Sequence, residues 1–343
     1  MKLIAVRRDD RFSPNSVEKD RLILEAACNN VCRHFEQQGE PCALRWVDEA
    51  ELTTHDDADL YLSMARLPEA LSILEGFEQQ GRRIINSPRG VRNCQRSVLE
   101  KLMRENNLST PTAYQEGQEE QSPCWLKRGD AAAQSKDDVV FCNDAEALKK
   151  AISDFEARGI SDYVISRHVE GDVVKFYGVN SLPFGATGAT GVFRAAIDMA
   201  AAPPRGANPS FATEDFRAAT DVAAAPQRGA NPAFATEDGP GIGSSFFRHF
   251  YPTDDGQTKF GDETARNGEA HHYAFDVSAL QSEVERLARL VGIEVYGGDA
   301  IIDRKGRFYI IDFNDWPSFS RCRDEAAEAI ANCPCHNPSN RGQ

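Results

Sequence analysis

The stretch Tyr309-Ile310-Ile311-Asp312-Phe313-Asn314-Asp315-Trp316-Pro317, read with Gly298-Asp299-Ala300-Ile301-Ile302-Asp303 upstream of it, decides how this chain is understood. Both segments are apolar runs with a carboxylate set into them, and Arg304-Lys305-Gly306 between them predicts a β-hairpin. Side-chain direction repeats every two residues along a strand, so Asp312 and Asn314 share a face. Asp299, on the partner strand, faces them across the hairpin. Three hard oxygen ligands, two of them anionic, then converge on one patch of sheet. That is the chemistry of Mg2+, which takes a few carboxylates and completes its octahedron with water and phosphate oxygens. Asp and Asn also mark strand ends before a residue such as Pro317. An Asp inside the run Tyr309–Asn314, however, is costly to bury without a cation, which favours the metal.

Working outward, the first ninety residues alternate strand and helix. Strands are predicted at 3–6, 42–47, 58–64 and 83–86. A helix opens near a capping box formed by Asn15 and Glu18, carries Ile23, Ala27, Val31 and Phe35 on one face, and stops at Gly39. A second helix covers 69–81. Strands separated by helices predict a parallel, open, Rossmann-like layer. No G-x-G-x-x-G follows the first strand, which argues against a dinucleotide site there. A single helical pattern runs from Val91 to Asn106. Strands at 124–127, 138–142, 163–169, 172–179 and 245–251 follow, with helices over 144–159 and 278–292.

One insertion interrupts this series. Residues 193–215 are followed at once by a near-copy, 216–238, identical at 19 of 23 positions and rich in Ala, Pro and Gly. Two copies are too few for a solenoid, and the composition favours a long flexible insertion between two strands over a partner-binding arm. Such an insertion costs little, because loop-closure entropy grows only logarithmically with length.

Composition narrows the function classes. The 343 residues are 41% hydrophobic and 27% charged, an ordinary globular mix, with a net charge of −14. That balance argues against a general affinity for nucleic acid. No apolar run approaches the length of a membrane span, and the N-terminus reads as a first strand, so a cytoplasmic protein is expected. The nine cysteines are an odd number in a long chain, which favours reduced, buried thiols. Cys28, Cys32 and His34 read as a helix face before a metal site. Cys333-Pro334-Cys335-His336 lacks the second ligand pair of a structural zinc site.

The segment Ile310–Pro317 resembles the closing metal motif of the ATP-grasp superfamily: an acidic residue, any residue, an Asn, and then a Pro. The resemblance spans roughly residues 85 to 330. The fold it implies is α/β, with an N-terminal Rossmann-like substrate-side domain over 1–88. A central helix and small lobe would cover 89–170. A large lobe with the metal site would cover 171–332, interrupted by the insertion 181–244, and a polar tail 333–343 would follow. In the family's order, Arg96 opens the nucleotide site and Lys127 grips the α- and β-phosphates. Ser166, Arg167, His168 and Val169 occupy the adenine hinge, and Lys175 and Arg248 face the γ-phosphate and acidic substrate groups. Independently of the family, Lys127 lies in an apolar strand, where an unpaired charge is unfavourable. Lys175 and Arg248 read about equally well as solvent-facing, and Arg96 as an ordinary helix residue. Arg66 and the segment Ser13–Asn15 are weaker candidates where the N-terminal layer would meet substrate.

The resemblance also has departures. The stretch 128–138 holds a single Gly where a Gly-rich loop often covers the phosphates. Asp312 stands where Glu is more frequent, a form shared with ATP-grasp inositol-phosphate kinases, and Ser318 stands where Gly commonly follows the Pro. The implied function is an ATP- and Mg2+-dependent carboxylate–amine or carboxylate–thiol ligase working through an acylphosphate. Two metal ions, replaceable by Mn2+, would sit on Asp299, Asp312 and Asn314, and the acceptor would be a small molecule or peptide. A small-molecule kinase and a catalytically silent ATP-binding scaffold are the alternatives, the latter using the 193–238 repeat to reach a partner.

Overall fold

The computed structural model describes residues 1–13, 16–114, 123–130, 135–180, 246–251 and 270–333. The tandem repeat, the rest of the insertion, residues 131–134 of the 128–138 stretch, Pro14, Asn15 and the 334–343 tail lie outside the described residues. Three sheets follow one another along the chain.

The first is parallel, ordered β2-β1-β3-β4, and is formed by β1 (Lys2–Arg7), β2 (Ala43–Asp48), β3 (Leu60–Ser63) and β4 (Arg83–Ile85). Leu3, Ile4, Ala5 and Val6 are all buried, as expected for a central strand covered on both faces. Helix α1 (Val17–Gln37) buries Ile23, Leu24, Ala27, Cys28 and Val31 against this sheet, and α2 (Pro68–Gln79) buries Leu71, Leu74 and Phe77. The N-cap of α1 is Ser16.

Reduced thiols were expected throughout, but Cys32 and Cys42 form a disulfide. Gly39 ends α1 at φ 82°, and the Glu40 amide returns to the Phe35 carbonyl at 3.0 Å. That reversal brings Cys42 to within 5.2 Å of Cys32, Cα to Cα. The free thiols Cys28, Cys124, Cys142, Cys322 and Cys333 are buried.

The helix expected from Val91 to Asn106 is two helices, α3 (Pro88–Asn93) and α4 (Arg96–Glu105). Ser87 caps α3 through the Gly90 amide, and the Asn93 side chain donates to the Val291 carbonyl at 2.9 Å. Gln95 is extended and starts α4 afresh, which sets Arg96 in its first turn.

The second sheet, β6-β5-β7, is antiparallel: β5 (Cys124–Arg128), β6 (Val139–Cys142) and β7 (Tyr163–Arg167). Helix α5 (Ala145–Ala157), capped by Asp144, closes a small core of Cys124, Leu126, Cys142, Leu148 and Phe155 on one face.

The third sheet is ordered β11-β10-β8-β9 and fully antiparallel: β8 (Asp172–Val179), β9 (Phe246–Phe250), β10 (Val295–Ile302) and β11 (Phe308–Asp315). Helix α6 (Val277–Val291) packs Leu280, Val284, Leu287 and Val291 under Phe176, Tyr296, Ala300, Ile310 and Phe313. On the opposite face Lys175, Asp299, Asp312 and Asn314 form a polar stretch, while Tyr177, Val179 and Val295 pack into a core shared with the first sheet. Helix α7 (Arg323–Asn332) packs Ala326, Ala327 and Ile330 into a core shared with α1, Val179, Val295 and Trp316. Among the described residues no helix is long and apolar enough to cross a membrane.

Candidate functional site

Alternation and register together build the site. Asp299 stands directly opposite Asp312 on one side and Lys175 on the other, while Asn314 stands opposite Gly297. Lys175, Asp299, Asp312 and Asn314 therefore share the face of the third sheet that α6 does not cover. Lys175 Nζ lies 3.1 Å from Asp299 Oδ1, and Asn314 Nδ2 donates to Asp312 Oδ2 at 2.6 Å.

The ladder is irregular at one point. Asp299 pairs with Asp312 but Ala300 pairs with Ile310, so Ile311 is an extra, bulged residue. Its carbonyl, released from the β10 ladder, accepts a hydrogen bond from Lys127 Nζ at 3.1 Å. Lys127 comes from the second sheet, from the face that its small core leaves bare. Burial pushes the Lys127 ammonium down to about 8, and Arg96 adds to this, while Asp312, Glu100 and Asp299 pull it back up.

Arg96, placed by the break between α3 and α4, donates to the Arg128 carbonyl at 2.7 Å, and its Nη2 lies 3.6 Å from Asp312 Oδ1. A cleft between the second and third sheets is lined by Arg96, Lys127, Ser166, Asp312 and Asn314, with Cys94, Glu100 and Thr110 at its wall.

Of the expected hinge residues, Ser166 is buried in this lining, opposite Trp125 on β5. The Arg167 and His168 amides are engaged within the protein, donating to the Thr112 and Pro123 carbonyls at 2.9 Å each. Trp125 Nε1 approaches His168 Nδ1 at 3.1 Å, and Val169 is half-buried. Arg248 is not brought to the others. It lies on β9, the edge strand, opposite Tyr177, where it pairs with Glu325 of α7 and stacks over Phe246 at 5.2 Å. Three strand spacings separate β9 from β11, roughly 14 Å.

Among the described residues no group of three or more His, Cys, Asp and Glu is arranged for a metal. The oxygen set here is two carboxylates and one amide. It suits a magnesium ion that keeps water and phosphate oxygens as its remaining ligands, and it would not suit a cage built wholly of protein. Arg96 and Lys127 stand beside Asp312 and Glu100 in the cleft lining, and the Lys175–Asp299 pair lies on the same face of the third sheet.

Arg66 is a weak candidate from the sequence alone, and Cys94 is none. Arg66 Nη2 lies 2.6 Å from Asp315 Oδ1, one residue past Asn314. Cys94 lines the cleft, its thiol pushed well above the ordinary range by burial and by Asp315. No local pattern in the sequence signals either contact.

Neither a protein-family model nor a curated protein sequence matches this chain. Solved structures do. A RimK-domain ATP-grasp protein from Sphaerobacter thermophilus is similar at a TM-score of 0.52 and 14% identity, over 97% of this chain and 99% of that one. D-alanyl-alanine synthetase A from Vibrio cholerae is similar at 0.53 and 10% identity, over 97% of each chain. D-alanine–D-alanine ligase from Bacillus anthracis is similar at 0.52 and 9% identity, over 98% of this chain and 97% of that one. Identity this low carries architecture and leaves activity to the site. With a parallel layer, a small antiparallel sheet and a large antiparallel sheet in that order, and this likeness over nearly its whole length, the chain has the ATP-grasp fold.

Proposed function

We propose that the protein is an ATP-dependent ligase that joins a carboxylate to an amine or thiol through an acylphosphate. The observation that carries this reading is the meeting of Arg96 and Lys127 with Asp312 and Asn314 in one cleft between two sheets, with the Lys175–Asp299 pair beside Asp312 on the same sheet face. Asp299, Asp312 and Asn314 would hold Mg2+, two ions in the full assembly. Held there, the metal would supply neutralisation of phosphate charge on ATP.

The chain's own groups do the rest. Lys127 reaches in from the small sheet and Arg96 from the first turn of α4, and both hold phosphate oxygens. Lys175 exchanges Asp299 for the transferring phosphoryl group. Ser166 and its neighbours fix the nucleotide's far end. A carboxylate oxygen of the acceptor attacks the γ-phosphorus as ADP leaves. The amine then attacks the acyl carbon, and phosphate departs as the amide forms. Positioning and charge neutralisation supply the rate, and no side-chain nucleophile is needed.

A small-molecule kinase would use the same cations and carboxylates. The fate of the phosphoryl group separates the two. Incubation with ATP, Mg2+ and pooled carboxylates and amines, followed by mass spectrometry, should give a condensed product together with free phosphate. A phosphorylated product with no phosphate release would replace the ligase by the kinase. The acceptor, a small molecule or peptide, belongs to the same proposal, as does any partner contact through residues 193–238.

A further inference from the structure

Just beyond the nucleotide-facing residues of β11, the chain carries a contact that phosphate binding does not require. Asp315 is 2% exposed, and its carboxylate is shared by two arginines of the N-terminal layer. Arg66 Nη2 lies 2.6 Å from Oδ1, and Arg8 Nη2 lies 3.2 Å from Oδ2. Burial pushes this carboxyl upward, but Arg66 and Arg8 outweigh it and hold the group below the ordinary carboxylate range. Arg8 is itself fixed on every side. Its Nε donates to the Met64 carbonyl at 3.3 Å, Nη1 meets Asp20 of α1 at 3.3 Å, and Nη2 reaches the Trp316 carbonyl at 3.5 Å.

The two arginines lie just past the C-terminal ends of β1 and β3, which are neighbours in the parallel sheet. Glu49 holds both chain segments in place by accepting the Asp9, Arg66 and Leu67 amides at 2.6 Å each. A buried ion cluster adds little net stability over an apolar one of the same shape, whereas removing one partner is strongly destabilising. What such a cluster supplies is a fixed geometry. Here the fixed point adjoins Asn314 and lies three residues from Asp312, on the same strand.

We propose that Asp315 is a positioning residue. Through Arg8 and Arg66 it locks the end of β11 to the N-terminal layer, and so sets Asn314 and Asp312 for the magnesium–nucleotide complex. This rests on the ATP reading above and extends it: the layer on the acceptor side tunes the metal side of the cleft.

The test is calorimetric binding of a non-hydrolysable ATP analogue to the full chain, with excess Mg2+ and again in EDTA. Asp315→Asn keeps the shape and removes the charge. It should weaken binding in Mg2+ at least tenfold while changing binding in EDTA less than twofold. Asp315→Glu should recover part of the loss. A folded Asp315→Asn protein with the wild-type ratio of the two affinities overturns the proposal. If Asp315→Asn gives no cooperative melt, Arg66→Gln, which leaves Asp315 paired to Arg8, carries the test. A several-fold loss confined to the Mg2+ arm supports the positioning role, and an unchanged ratio overturns it. Wild-type protein that binds no analogue in Mg2+ sinks the ATP reading itself, a result separate from any variant's behaviour.

Discussion

Lys127 is poised close to its own titration. Burial is the main cause of its fall to about 8, with Arg96 second, and its one described hydrogen bond goes to a neutral acceptor, the Ile311 carbonyl. A phosphate arriving beside it would restore the ordinary value, so nucleotide binding above pH 8 should take up a proton. Calorimetry at pH 8.5 in buffers of differing ionisation enthalpy should show uptake of up to about one proton. Uptake should nearly vanish at pH 6.5, and Lys127→Met should abolish it at both. The stability sign follows from the same shift. A lysine whose folded value lies below its unfolded one favours the unfolded chain at low pH, so this group's contribution to stability rises as pH climbs from about 8 towards 10.5. Asp312 presents a different case. Its side chain is 32% exposed and its partners, Arg96 and Asn314, sit at the edge of a cleft open to water. Asp312→Ala should therefore leave the melting temperature within a few degrees of wild type. Turnover should drop on the order of a hundredfold or more, because under the proposed function Asp312 would be one of the groups that hold the metal against the phosphates. Steady-state rates beside a thermal melt check both halves, and undiminished turnover would remove the site as described.

Elements set the spacing of these groups, and β10 and β11 do most of it. Gly298 faces the Asp312 carbonyl and the Phe176 ring so closely that a Cβ has no room, and Gly297 lies under Pro317. Gly298→Ala should cost about 1–3 kcal/mol by overpacking. It should also weaken nucleotide binding, since the strand that must yield carries Asp312, and denaturant melts with analogue titration would show both. The shared face of Asp299, Asp312 and Asn314 was legible in the sequence because strand alternation is a local rule. The Ile311 bulge was not, because register belongs to two strands together and only the pairing reveals the extra residue. The same holds for the break between α3 and α4. Cys94 and Gln95 carry no helix-stopping signal, and the chain turns there because Asn93 and Gly90 are tied to the end of α6. The Cys32–Cys42 bond joins a helix to a strand around Gly39, so spacing alone could not distinguish it from two separate thiols. Alkylation of the denatured, unreduced protein should label Cys28 but neither Cys32 nor Cys42 until reductant is added.

Across the whole molecule, contacts between residues far apart in the chain decide which parts move together. Arg8 meets Asp315 across 307 positions, and Asn86 takes the Glu294 and Val295 amides while donating to the Val295 carbonyl. Leu3, Ile23, Val179, Val295, Trp316 and Ile330 belong to one core, so the N-terminal layer and the large sheet are not separable in packing. The small sheet differs. Its core of Cys124, Leu126, Cys142, Leu148, Ala151, Phe155 and Ile160 is self-contained. Its described polar links to α4 and the large sheet are few, chiefly Lys127 to Ile311, Arg96 to Arg128, and Ser97 to Gly129 and Asp162. A unit with its own core and few ties opens at lower free energy than the body that carries it. Native-state hydrogen exchange should therefore show β1 and β10 amides exchanging together at the global free energy, and β5 and β7 amides exchanging earlier as a separate group. A magnesium–nucleotide bridging Lys127 to Asp312 should close that gap, raising protection in β5 and β7 selectively. Equal protection of all three sheets without nucleotide would mean that the small sheet does not open by itself, and that access to the cleft arises some other way.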